Sequence, residues 1–145
     1  MTDIKSSVKT LIQGMLEDRK HYAQLVTLLE QQRQFIITRH TENLEAVNKK
    51  LIEHYMALAE SSQQRYYHLS ALGIPVGVKG LRLLFARLSF PDQVRLNNLW
   101  DELEQQALQC KVANEANGML LNMQKNILQD LLDSSNPKGW LYEQN

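Results

Sequence analysis

The chain has 145 residues, and its sixteen lysines and arginines are balanced by sixteen aspartates and glutamates. That length suits one domain burying about two-thirds of its unfolded surface, and zero net charge excludes a dedicated nucleic-acid binder, which carries a basic excess. The lone Cys110 cannot form an intrachain disulfide, no apolar N-terminal stretch resembles a signal peptide, and no run approaches the roughly 20 apolar residues of a membrane span.

A cytoplasmic protein with no membrane insertion is therefore expected. Abundant Leu, few aromatics, three prolines and almost no β-branched runs predict an all-α fold.

Residues 3–39 read as a first helix. Its apolar stripe is Ile4, Val8, Leu11, Met15, Tyr22, Leu25, Leu29 and Ile36, interrupted by Asp18 and Gln32. Near His40 the stripe slips: seven residues beyond Ile36 stands Asn43, and the next stripe starts at Leu44 and runs through Leu51, Leu58 and Leu72. The slip predicts a break at His40–Thr41, with Thr41 as N-cap and Glu42 and Glu45 at the positive end of a second helix over 42–72. Gly73 supplies its stop.

Residues 73–90 form a connector holding Gly73, Pro75, Gly77 and Gly80, with about two helical turns at Leu81–Leu88. Lys79, Arg82 and Arg87 have no acidic neighbour there. The preferred reading is a plug whose Leu and Phe side chains close one end of a bundle while its arginines face water; the other is a patch for an acidic partner. Pro91 suits the first turn of a third long helix, 91–133, about 65 Å long at the standard rise. Ser134–Gly139 ends it, and residues 134–145 carry the apolar trio Trp140, Leu141 and Tyr142. The whole, residues 1–145, is expected to be one domain: an antiparallel up-down-up bundle of three long helices with a short helical connector between the second and third.

The last helix holds the unusual residues. Positions seven apart give Leu96, Leu103, Cys110, Asn117, Gln124 and Leu131, with a companion series Trp100, Ala107, Asn114, Leu121 and Leu128. This seam is large and apolar at its ends but small or polar in its middle. Asn114 and Asn117 are expected inside as register residues, hydrogen-bonded to the other helices, with Gly118 allowing close approach. Beyond Asn117 the apolar residues cover roughly 220° of the helix surface, whereas an amphipathic helix needs little more than about 100°. Met119 and Met123 lie in the surplus, and flexible thioethers suit an adaptable partner surface; on the residues alone, cover by another part of the chain fits equally well.

No enzyme is expected, and no cofactor. His54 and His68 share a helical face but stand about 21 Å apart along it, so they cannot ligate one ion. Gly77–Gly80 is too short for a phosphate loop, and no Ser, Cys or His has an arguable triad.

The run Cys110–Leu121, CKVANEANGMLL, resembles the signature of FlgN-type flagellar export chaperones: two asparagines three apart, Asn114 and Asn117, then Gly118 and the apolar pair Leu120 and Leu121. The acidic turn HTENLEAVNKKL, the Leu72-Gly73 helix end and the Leu141-Tyr142 pair are also similar to that family, although here Glu143 follows the Tyr where the family usually has glycine. The resemblance implies a chaperone that binds helical C-terminal segments of hook–filament junction proteins and brings them to the flagellar type III export apparatus. Met119, Leu120, Met123 and Ile127 are then expected to bind the partner. Trp140, Leu141 and Tyr142 either fold back over that surface or, as preferred, stay partly mobile and dock onto client or export gate. The alternative is a non-enzymatic coiled-coil protein that assembles with itself; a homodimer is compatible with the same seam.

Overall fold

The computed structural model describes residues 4–135. They form four helices, α1 (Ile4–Thr38), α2 (Thr41–Ala71), α3 (Val78–Phe85) and α4 (Phe90–Ser135), and among the described residues there is no strand. The expected boundaries lie within two residues of those observed for the three long helices. The expectations for Trp140, Leu141 and Tyr142 fall outside the described residues.

The break at the end of α1 is made without glycine or proline. Arg39 adopts a left-handed conformation, φ 57°, and the amides of Arg39 and His40 turn back to the carbonyls of Ile36 and Phe35. This closes the helix as a glycine would, at a steric cost that a non-glycine residue carries. Thr41 is the first residue of α2, not its N-cap; His40 holds that position, with no side-chain cap. Gly73, φ 70°, ends α2 through bonds from Gly73 N to Ser70 O and from Ile74 N to Leu69 O, which draws Ile74 into the core.

α1 is the element both other long helices pack on. Asp18 meets Arg65, His21 meets His54 and Gln32 meets Asn48, so α2 runs back along α1. α4 runs the same way as α1: Cys110 meets Tyr22, Asn117 meets Leu29 and Gln124 meets Ile36, each at an offset of 88 residues. At that offset Thr38, the last residue of α1, stands level with Asn126. Residues 127–135 of α4 therefore project beyond α1.

Two apolar clusters hold this arrangement. The larger joins Leu11 and Met15 of α1, Leu69 of α2, Leu81, Leu84 and Phe85 of α3, and Leu96, Leu99 and Leu103 of α4. α3 is the plug at this end: Leu81, Leu84 and Phe85 are buried and Leu83 is exposed, while Arg82 reaches outward to Asn97, Asp101 and Glu104. Gly80 lets it sit there, because a Cβ would fall 1.6 Å from the carbonyl oxygen of Pro75. The smaller cluster joins Leu25, Leu28 and Leu29 to Val47 and Leu51 of α2 and Cys110 of α4. Beyond it, toward the C-terminal end of α4, side chains become progressively exposed.

Candidate functional site

The two positions that interrupt the α1 stripe are where polar groups tie the helices together. Asp18 is buried and forms an ion pair with Arg65 of α2. The Arg65 guanidinium also donates to Ser61 Oγ and lies 5.4 Å from the centroid of the Trp100 ring of α4. About four helical turns further on, Asn117 is only 3% exposed. Its Nδ2 donates to the Leu29 carbonyl at 2.9 Å and to Gln32 Oε1 at 2.8 Å, and Gln32 Nε2 donates to Asn48 Oδ1 at 2.8 Å. Each node thus links α1, α2 and α4, and a buried polar group bonded in this way has one satisfactory register. Gln124 Nε2 adds a bond to the Ile36 carbonyl at 2.9 Å.

The other residues expected inside the seam lie elsewhere. Asn114 is exposed, on the flank facing α2, where Tyr55 and Ala107 line a shallow hollow with it. The seam residue seven before it, Ala107, is only half-buried, because α4 leans on α1 through the Leu96–Gln124 series and offers the companion series to a gap. Gly118 permits no close approach; a Cβ there would meet nothing within 4 Å. The physical reason is the same for both: α4 has one helical neighbour along this stretch, so only a narrow stripe of it is covered.

The consequence is an uncovered apolar surface. Met119 is 67% exposed, Met123 58%, Ile127 59% and Leu131 64%, while Leu120 is half-buried. No described part of the chain folds over these residues. They continue upstream into a groove of about 430 Å³ between α1 and α4, on the flank opposite α2, lined by Val26, Glu30 and Arg33 on one side and Ala113 and Ala116 on the other. The sequence reading missed this groove, although its signal is in the chain: Ala113, Ala116, Leu120, Met123 and Ile127 keep a 3-4 spacing.

Titratable groups add one coupled pair. His21 Nδ1 and His54 Nδ1 are 2.8 Å apart across α1 and α2, a contact that needs one N–H and one lone pair. Burial, and then the neighbouring His21, hold the His54 imidazole below its ordinary value. Burial pushes the Cys110 thiol up, away from the reactive thiolate. Among the described residues no three His, Cys, Asp or Glu side chains are grouped to hold a metal ion, and no described helix is long and apolar enough to cross a membrane.

These features define a helical bundle with polar inner ties and a large uncovered apolar helix face. The family model for FlgN protein matches residues 1–139, and the chain belongs to the FlgN family, a family of chaperones in flagellum biogenesis. No curated protein and no solved structure matches the chain.

Proposed function

We propose that this protein is a cytoplasmic export chaperone that binds helical C-terminal segments of flagellar hook–filament junction proteins and delivers them to the type III export apparatus. It acts by binding alone, without catalysis or cofactor, its three long helices serving as an up-down-up scaffold. The observation that carries the reading is the exposed run of apolar side chains from Met119 to Leu132 on α4, in a chain of a flagellar chaperone family. Burying a Leu, Ile or Met side chain fully gains about 1.5–3 kcal/mol, so a few such contacts support a stable complex with an amphipathic helix. An unassembled junction subunit has such helices to cover, because its terminal segments coil together only in the finished filament.

Met119, Leu120, Met123 and Ile127 are the proposed contact residues, and Trp140, Leu141 and Tyr142 are assigned to client or export-gate docking. Size-exclusion chromatography of the chaperone with a full-length junction protein, and with one lacking its C-terminal segment, tests the reading. A one-to-one complex is expected with the first and none with the second. Equal association with both, or self-association of the chaperone with no client bound, contradicts it.

A further inference from the structure

Resting on that client-binding reading, we infer that the flank groove between α1 and α4 seats one client helix, so that the client becomes the fourth long helix of the assembly, on the side opposite α2. The exposed α4 face alone does not say where a partner lies; the groove does. Ala113, Ala116, Leu120, Met123 and Ile127 are spaced as the a and d positions of a coiled coil; Ala113 touches the edge of the smaller apolar cluster and Leu120 is half-buried, while Ala116, Met123 and Ile127 are exposed. Val26, Glu30, Arg33 and Ile37 keep the complementary 4-3-4 spacing on α1, and their side chains turn to the same flank. Ile37 is exposed there. The two rows make the walls of an unfilled helix position.

The walls also specify the occupant. Small Ala113 and Ala116 make the upstream half deep, so the client must bring large apolar side chains at heptad spacing to that half. Met123 lies beside the last turn of α1, level with Phe35, and beyond Thr38 the client touches α4 alone, against Ile127; adaptable thioether and branched side chains at this end accept more than one sequence. Glu30 is already bonded by Gln34 Nε2, while Arg33 forms no ion pair among the described residues. An acidic residue on the client helix beside Arg33 completes the match. One groove of this chemistry serves several junction proteins that share the heptad pattern and differ in detail.

The test compares equal bulk on the two flanks of α4. Ala116→Trp fills the groove; Asn114→Trp fills the hollow facing α2. Both positions are exposed, and circular dichroism melts verify the fold. Synthetic peptides of the C-terminal segments of the organism's junction proteins are titrated by fluorescence anisotropy. Ala116→Trp is expected to weaken binding by about tenfold or more and Asn114→Trp by less than about twofold. Arg33→Glu, on α1, should weaken it as well, and it keeps the test open if Ala116→Trp does not fold. Binding unchanged by both Ala116→Trp and Arg33→Glu overturns the groove while leaving the chaperone reading intact, as does a loss confined to Asn114→Trp. No binding of any peptide by the wild-type protein removes both.

Discussion

The two ends of α4 are built from the same kind of helix and behave oppositely. From Leu96 to Leu103 it is covered by α1, α2 and the α3 plug, and its seam residues are buried apolar side chains. From Met119 to Leu132 it carries twice as many large apolar residues and leaves all but Leu120 exposed. Apolar content alone therefore does not decide burial; the number of neighbouring elements does. Between the two ends the seam changes chemistry. Cys110, Asn117 and Gln124 face three α1 carbonyls seven residues apart, those of Tyr22, Leu29 and Ile36. Each α1 carbonyl keeps a second lone pair after its helical bond, so α4 is anchored there by directed polar contacts that need little apolar area. The apolar residues downstream are thereby left uncovered.

The contrast predicts unequal costs for mutation. Breaking the upstream end is most costly. Arg65→Ala leaves the buried Asp18 carboxylate without its counter-ion and removes the guanidinium from Trp100; about 3–5 kcal/mol of stability should be lost in a urea melt. Arg65→Met, which leaves the same charge unpaired, should rescue little, whereas the double change with Asp18→Leu should recover most of the loss. Asn117→Ala comes next. It deprives Gln32 Oε1 and the Leu29 carbonyl of their shared donor, and about 1–3 kcal/mol is expected. Wild-type stability with lost client binding would instead make Asn117 a recognition residue and blur the division between anchor and surface.

The downstream surface should tolerate what the core does not. Met123→Glu is expected to change stability by less than about 0.5 kcal/mol, as other exposed substitutions do, while weakening client binding. A large loss of stability would mean that Met123 is covered in solution. The smallest effect concerns the α1–α2 contact. The His54 imidazole is held below its ordinary 6.5, so the unfolded chain takes up that proton first as pH falls. The stability linked to it is complete above about pH 6.5 and is lost as pH drops through the lower folded value. Thermal melts from pH 7.5 to 5.5 should show a decline that His54→Gln flattens; an unchanged slope would mean that His54 takes up its proton over the same pH range folded and unfolded.

Much of this architecture was legible in the residues. Heptad stripes located the helices, the slip after Ile36 marked the first turn, and the polar interruptions at Asp18 and Gln32 are the α1 ends of both three-helix nodes. Their partners Arg65 and Asn48 were not legible, because pairing between antiparallel helices depends on a register that no local pattern states. Asn114 was misplaced because seven-residue spacing identifies a helix side without saying how wide a stripe its neighbours cover. The exposed α4 face was visible as a surplus of apolar arc, and the groove beside it required knowing that α4 runs parallel to α1 at a fixed offset. Thr41 was read as a cap on residue type, whereas Arg39, a residue with no turn preference, takes the left-handed position that sets where α2 starts.

The central claim is that the upstream end of the bundle makes the fold while the face of α4 from Met119 to Leu132 waits for a client. Hydrogen–deuterium exchange of the free protein and of its complex with a junction-protein C-terminal peptide tests it most directly. Amides of α4 beyond Asn117 should exchange fast in the free protein and become strongly protected in the complex, with α3 and residues 96–103 protected in both. Fast exchange beyond Asn117 that the peptide leaves unchanged, with new protection elsewhere, would contradict it.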